Sequence, residues 1–181
     1  YVGQSDFVEV LICETEIYFK AEEYDKGFIT LKDALRSNSY HEKGQQLLSE
    51  YISTSRHYQS IATFLQEMLE NSPYSHFAWY NLGHCYSNLG EYDQAIDAFE
   101  YAFLIKPQFE QAYIDCAETC VLLRQWDKAL SIYQEVVNTF GEEYDMLISI
   151  SECCIHLKDY IQAKKYLSQS LKLDIFGEDA H

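Results

Sequence analysis

Two clusters of cysteine and histidine side chains are the clearest candidates for chemistry in this sequence. Cys116 and Cys120 are four residues apart, a spacing that places both thiols on one face of a helix. Cys153, Cys154 and His156 form a second cluster. Thiolate and imidazole are preferred ligands of Zn²⁺ in structural sites. The sequence contains no Cys-x-x-Cys pair, so the metal hypothesis rests on helical spacing alone.

Paired carboxylates suggest a second kind of chemistry, general acid and base catalysis. Glu22 with Glu23, and Glu142 with Glu143, are neighbours in the chain. Adjacent residues of a helix do not face each other, which argues against shared proton transfer. The sequence also has no glycine-rich phosphate loop, no HExxH and no GxSxG motif. We therefore expect no active site, no cofactor and no enzymatic activity in these residues.

The composition argues against several classes of protein. The chain has 29 acidic and 13 basic residues and a net charge of −16, which opposes binding to nucleic acid or to anionic membranes. The longest stretch without charge, residues 71–90, contains Pro73 and many polar residues, so we expect no transmembrane segment. Six cysteines without the dense spacing of a secreted disulfide scaffold favour reduced thiols and a cytoplasmic location. A length of 181 residues predicts one domain.

A repeat of 34 residues organises the chain. Five aromatic residues recur at that interval, and each precedes a segment with helical apolar spacing: Tyr24, Tyr58, Tyr92, Trp126 and Tyr160. We interpret these five residues as part of the core. The frame gives a lead-in segment, 1–7, followed by the units 8–41, 42–75, 76–109, 110–143 and 144–177.

Each unit has the pattern of two helices. In the third unit Trp79, Leu82 and Tyr86 share one face of a helix that ends at Gly90, and Pro107 ends the next helix. One such hairpin cannot bury its apolar face alone, so neighbouring hairpins must stack. The predicted fold class is therefore all-α, with ten helices in five stacked hairpins and no strand.

The third unit also carries a family resemblance. Its marker residues are Trp79, Leu82, Gly83, Tyr86, Ala95, Phe99, Ala102 and Pro107. At this spacing they resemble the tetratricopeptide repeat, and the resemblance extends over residues 8–177. It implies a right-handed α-solenoid that acts as a scaffold for protein interactions, with a concave face lined by the first helix of each hairpin. The first unit, with Glu14 where leucine is usual, is the weakest match.

The position of the cysteines within the units favours a structural role for them. Cys116, Cys120 and Cys154 fall where the third unit has large apolar residues, and Cys85 and Cys153 fall where the family has small buried ones. A buried thiol packs as a small hydrophobic group. We therefore expect no metal site.

The frame further predicts a peptide-binding groove, built from the fifth, sixth, ninth and twelfth positions of the units. The candidate residues, which we call the inner face, are Glu16, Glu50, Tyr80, Asn81, His84, Ile114, Asp115, Glu118, Val121, Ile148, Glu152 and Ile155. Four of the five ninth positions are acidic, and apolar residues stand between the acids. Such a groove suits a basic or amphipathic peptide or helix.

Two known types of groove do not fit this pattern. Repeats of this family that clamp the acidic C-terminal tails of chaperones carry lysine, arginine and asparagine at the inner positions, and only Asn81 matches here. Related hairpin arrays that read single-stranded RNA have a slightly longer unit and a basic groove. An acidic groove argues against both, and we expect no nucleic-acid partner.

Three functional hypotheses follow. The first, which we favour, is an interaction module that binds an unidentified protein or peptide in the groove. The second is a structural segment of a longer multidomain protein, which docks onto neighbouring domains or self-associates. The third is the non-catalytic part of an enzyme whose catalytic domain lies outside this chain.

The C-terminal residues suggest that the array continues. Ile175 and Phe176 are apolar residues without a predicted cover. Residues 178–181 fit the start of a further repeat or a capping helix, because Ala180 takes the position that Ala78 has in the third unit.

Overall fold

A computed structural model of the chain describes the backbone of residues 2–178 and the side chains of residues 6–173. This part of the chain forms ten α-helices and no strand, which confirms the all-α repeat fold. The helices are α1 (Val2–Lys20), α2 (Tyr24–Ser37), α3 (Glu42–Thr54), α4 (Tyr58–Asn71), α5 (His76–Leu89), α6 (Tyr92–Ile105), α7 (Glu110–Leu122), α8 (Trp126–Phe140), α9 (Tyr144–His156) and α10 (Tyr160–Glu178). None of the helices in these described residues is both long and apolar enough to cross a membrane.

The even-numbered helices begin at the five aromatic residues that define the repeat. Tyr24 and Tyr58 are partly buried against the core of their unit. Tyr160, by contrast, is 58% exposed, so the interpretation of all five as core residues is wrong for this one. A residue at the start of a helix lies at the edge of the packed layer, where one side of its ring can remain in solvent.

A residue in the left-handed conformation connects the two helices of four hairpins. Gly90 has a φ of 77°, and its N–H and that of the next residue donate to carbonyls in the last turn of α5 at 3.1 and 2.9 Å. Glu22, Arg124 and Lys158 take the same position in their hairpins, with φ values of 60°, 59° and 65°. The sequence predicted this turn only at Gly90, because glycine alone adopts it without a steric cost.

The chain divides into two compact units, residues 1–105 and residues 106–181, whereas its length predicted one domain. In a repeat array each hairpin contacts only its neighbours, so cohesion is local and a compact unit can end between two hairpins. The division follows Ile105, the last residue of α6, and lies next to the predicted helix stop at Pro107.

The first unit contains the hairpins α1–α2, α3–α4 and α5–α6. Its core is a cluster of aliphatic and aromatic side chains, in which Leu31, Leu48 and Leu65 are completely buried. Helix α2 packs on α3 through Phe28 and Tyr51, whose rings stack with centroids 4.5 Å apart. Burial of a large apolar side chain is worth about 1.5 to 3 kcal/mol, so contacts of this kind hold successive hairpins together.

The second unit contains the hairpins α7–α8 and α9–α10. Four cysteines, Cys116, Cys120, Cys153 and Cys154, are buried in it, and Cys85 is buried in the first unit. No disulfide joins the six cysteines, and Cys13 is the exposed one. The buried thiols fill positions between helices, as their place in the repeat predicted.

The two ends of the predicted repeat frame can be compared with the helices. Helix α1 begins at Val2, so residues 2–7 of the predicted lead-in belong to that helix. Helix α10 runs to Glu178. The rest of the predicted continuation, residues 179–181, lies outside the described residues.

Replacing Lys158 by glycine is expected to raise the free energy of unfolding by up to about 1 kcal/mol. A Cβ atom in left-handed backbone costs about 1 to 2 kcal/mol, and the greater flexibility of glycine in the unfolded chain offsets part of that gain. The control is Lys164→Gly inside α10, which should lower the free energy of unfolding by about 1 kcal/mol. Urea denaturation measures both. Equal destabilisation by the two variants would show that the turn at Lys158 carries no strain.

Candidate peptide-binding surface

In the first unit, the two acidic residues of the inner face have different surroundings. The carboxylate of Glu16 on α1 forms an ion pair with the ammonium group of Lys43 on α3, at 3.2 Å. Glu50 on α3 is exposed. Glu16 therefore already has a cationic partner within the chain, and Glu50 is the more accessible acid of this unit.

Asn81 is not available on the surface, contrary to its predicted place in the groove. Its side chain is completely buried. The Asn81 amide donates to the side-chain oxygen of Gln45 at 3.2 Å and accepts a hydrogen bond from the Ser49 hydroxyl at 2.7 Å. Gln45, also buried, donates to the backbone carbonyl of Ser39 at 2.8 Å. This polar network joins α3 to α5, because unpaired amides would be costly at such a depth.

Tyr80 and His84 of α5 form an aromatic cluster with Phe99 of α6. The Tyr80 and His84 rings meet edge to face with centroids 4.5 Å apart, and His84 meets Phe99 in the same way at 5.2 Å. A Cβ atom on Gly83 would lie 2.5 Å from the Phe99 ring. The small residue at the eighth position thus lets Phe99 pack directly on the backbone of α5, which fixes the two inner-face rings.

In the second unit, the inner face combines aliphatic and acidic side chains from α7 and α9. Its residues are Ile114, Asp115, Glu118 and Val121 on α7, and Ile148, Glu152 and Ile155 on α9. The two glutamates and Ile155 are exposed, and the other four are partly buried. All seven thus lie wholly or partly at the surface of the unit, where a ligand can reach them.

Tyr133 of α8 is a member of this site that the sequence did not identify. The sequence marked it only as a large apolar residue of the core, and it is indeed just 4% exposed. Burial raises the pKa of the Tyr133 hydroxyl, and the charges of Glu118 and Glu152 raise it further, while a hydrogen bond with Ser149 acts in the opposite direction. The charges of both acids thus act on this hydroxyl. The sequence gives only a weak signal for this role: among the residues at the twenty-fourth position of the five units, Tyr133 alone carries a hydroxyl group.

Glu118 lies in an environment that disfavours its charge. Partial burial raises the pKa of its carboxyl group, and the neighbouring charge of Asp115 adds to the effect. Asp115 lies three residues earlier on the same helix face, and its carboxylate accepts a hydrogen bond from the side-chain amide of Gln111 at 3.0 Å. A positively charged ligand would relieve this repulsion.

Burial raises the pKa of Cys85 to about 12 and that of Cys153 to about 11, so neither thiol is an activated nucleophile at neutral pH. Among the described residues, no group of three or more His, Cys, Asp or Glu side chains is arranged to hold a metal ion. The single groove expected from the sequence stays a prediction, since its residues belong to two units.

Two of the hairpins match a known family directly. Tetratricopeptide repeat models match residues 76–109 and 144–174, which are the third and fifth units of the frame. The chain contains tetratricopeptide repeats. The predicted resemblance to this family is therefore confirmed, and the division of residues 8–177 into five repeats stays a prediction.

Two relatives of known sequence share this repeat pattern. Tetratricopeptide repeat protein 21B of Mus musculus is 22% identical over 172 residues, which cover 94% of this chain and 13% of that protein. Superkiller complex protein 3 of Homo sapiens is 25% identical over 129 residues, which cover 67% of this chain and 8% of that protein. The tetratricopeptide repeat chain thus spans a small part of the length of both relatives.

A solved structure supports the fold. The crystal structure of MamA protein superposes with a TM-score of 0.79 over 98% of this chain and 97% of that one, at 16% identity. At this identity the likeness concerns the fold alone. Tetratricopeptide repeats serve as protein interaction scaffolds, and that general role applies to this tetratricopeptide repeat protein.

Replacing Glu118 by glutamine is expected to stabilise the chain at neutral pH. The raised pKa of Glu118 means that its charged form is less favourable in the folded chain than in the unfolded chain, so this group lowers stability as the pH rises through its titration range. The gain should be less than about 1 kcal/mol, because solvent screens a largely exposed carboxylate. It should vanish below about pH 4, where the unfolded carboxyl is also protonated.

The measurement is the melting temperature of each variant relative to the unmodified chain at neutral and acidic pH. Glu50→Gln is the matched control, since Glu50 takes the same repeat position on the exposed surface of α3. An equal effect of the two substitutions at neutral pH would contradict a special environment for Glu118.

Proposed function

We propose that the inner face binds a basic, amphipathic peptide or helix of a partner protein. The observation that carries this proposal is the surface of the second unit, where the exposed acids Glu118 on α7 and Glu152 on α9 each have an aliphatic residue, Val121 and Ile155, one helical turn away. Such a site can receive one cationic side chain between the two acids.

The aliphatic residues beside this acidic pair would supply most of the affinity. Ile114, Val121 and Ile148 are partly buried, and Ile155 is 45% exposed, so a ligand can cover more of their apolar surface. Each Å² of apolar surface removed from water contributes about 25 cal/mol. The acids would orient the ligand and speed its association, since the whole chain has a charge of −16.

The role we propose is non-catalytic and set in the cytoplasm. Burial raises the pKa of the Cys85 and Cys153 thiols, which keeps both protonated at neutral pH, and six cysteines without a disulfide suit a reducing compartment. The human relative is by name a component of a complex. A role in assembling protein complexes is in keeping with this proposal.

The test uses a fluorescein-labelled peptide with the lysine and leucine spacing of an amphipathic helix. We expect the double substitution Glu118→Lys with Glu152→Lys to weaken binding by about tenfold at low salt, from the loss and reversal of two charge contacts. At high salt the difference should shrink, because charges are screened beyond about 8 to 10 Å already at ordinary ionic strength. Fluorescence anisotropy gives the dissociation constants.

The control variant carries Glu142→Lys with Glu143→Lys. These residues lie in the loop between α8 and α9, are exposed, and change the net charge by the same amount. If both double variants bind the peptide equally well at both salt concentrations, the acids of the inner face do not form the site. Self-association that the inner-face variant abolishes would support the structural hypothesis in its place.

A further inference from the structure

The C-terminal half of the first unit has an unusual charge pattern. Residues 57–105, which include α4, α5 and α6, contain no lysine or arginine. They contain six carboxylates: Glu67, Glu70, Glu91, Asp93, Asp97 and Glu100. Helices α4 and α6 and the residue before α6 carry these acids, and α5 between them has no lysine, arginine, aspartate or glutamate, which favours the approach of a cationic partner.

Helix α6 also exposes apolar side chains where the other even-numbered helices are polar. Tyr101 is 51% exposed and Leu104 is 69% exposed. At the position of Tyr101 the other hairpins carry Asp33, Glu67, Glu135 and Gln169, and at the position of Leu104 they carry Arg36, Glu70, Asn138 and Lys172. The two apolar residues are therefore specific to the third hairpin and are not required by the repeat.

An aromatic stack supports this exposed surface. The Trp79 ring stacks on the Tyr101 ring with centroids 4.6 Å apart and an interplanar angle of 27°. The indole N–H of Trp79 donates to the backbone carbonyl of Pro73 at 2.8 Å, which holds the loop that precedes α5. Tyr74, the residue after Pro73 in that loop, is 74% exposed. We call Tyr74, Trp79, Asp97, Tyr101 and Leu104 the α6 patch.

The same unit shows how an arginine can occupy a surface of this kind. The Arg36 guanidinium of α2 lies 5.5 Å from the centre of the Phe64 ring on α4. Arg36 also pairs with Asp33 at 3.4 Å and approaches Glu67 at 4.0 Å. An aromatic ring with carboxylates beside it thus receives an arginine from the neighbouring hairpin. In the third hairpin the position of Arg36 is taken by Leu104.

We propose that the α6 patch is a second docking surface, for an arginine-containing basic segment of a partner protein. Such a segment would stack a guanidinium on the Tyr101 ring, place an aliphatic side chain against Leu104, and bring its charge to Asp97, which lies one helical turn before Tyr101. Arginine suits this surface better than lysine does, since its planar group stacks on a ring and bonds a carboxylate at the same time. This surface is independent of the inner face.

The test uses a short fluorescein-labelled peptide in which Arg-Leu pairs alternate with glycine. The double variant Tyr101→Gln with Leu104→Asn introduces residues that the fifth and fourth hairpins already carry at these positions, so folding should be preserved. It should weaken binding about fivefold, from the loss of one cation–π contact and one apolar contact. Replacing arginine by lysine in the peptide should weaken binding to the unmodified chain and have little effect with the variant.

The matched control is Tyr160→Gln with Ile161→Asn, which removes an exposed tyrosine and an exposed aliphatic residue from α10, at 58% and 84% exposure. Binding to it should be unchanged. Asp97→Lys is a second variant that removes the charge but keeps the aromatic stack, and it should also weaken binding. In a Trp126→Phe background Trp79 is the only tryptophan, so its emission should change when the peptide binds at the patch.

Three results would overturn the proposal. The first is equal affinity of the α6-patch variant and its control, and the second is an unchanged Trp79 emission at saturation. The third is that the unmodified chain sediments as a dimer and the Tyr101→Gln, Leu104→Asn variant sediments as a monomer. That result would assign the patch to contact with a second copy of the chain. The inner-face variant Glu118→Lys with Glu152→Lys should bind the Arg-Leu peptide as well as the loop control Glu142→Lys with Glu143→Lys does. The two proposed surfaces can therefore be tested separately.

Discussion

The contact between an even-numbered helix and the odd-numbered helix that follows it is the interaction on which each unit depends. A single hairpin has an apolar stripe on both sides and can cover only one of them by its own folding. In the first unit the remaining stripe of α2 is covered by α3, where the Phe28 and Tyr51 rings stack. Gly44, at the start of α3, leaves room for this approach, since a Cβ atom there would lie 3.0 Å from Leu35 of α2.

This packing also determines which side chains are free for binding. The small residues at the eighth position let the two helices of a hairpin approach closely, and the opposite side of the odd-numbered helix then stays open. At Gly83 the helices are so close that no side chain fits, because the Phe99 ring occupies the space that a Cβ atom would need. Tyr80 and His84 are held by that same ring. The geometry of the inner face is thus a consequence of core packing, and its chemistry is decided by residues that packing leaves unconstrained.

The sequence predicts most of the fold and less of the site, for physical reasons. The period of 34 residues locates the start of all five even-numbered helices, each of which begins at one of the recurring aromatic residues, because the hydrophobic pattern and the packing follow the same register. The left-handed turn at Arg124 has no such signal, since a charged residue there adopts a conformation that the packed helices impose on it. The repeat pattern also does not show which residues of the inner face are exposed. Asn81 takes an inner position in the frame but has turned into the interface with Gln45.

Tyr133 is a second residue whose surroundings the sequence does not predict. Its ring belongs to the core, as its position predicts, but only a three-dimensional structure shows that the charges of Glu118 and Glu152, from two other helices, act on its hydroxyl. Pairs of interacting side chains from different helices have no fixed spacing in the sequence. The repeat frame gives the helix face on which a residue lies, whereas the length and polarity of each side chain decide what it meets.

The state of Glu118 connects stability with the proposed binding. A carboxyl group whose pKa is raised by burial and by Asp115 lowers the stability of the free chain at neutral pH. A cation bound between Glu118 and Glu152 would favour the charged form and lower that pKa again. Binding would then be linked to deprotonation of Glu118, and the unfavourable charge in the free protein would become part of the attraction in the complex. Glu16 already pairs with Lys43, so the cation site that we propose lies in the second unit.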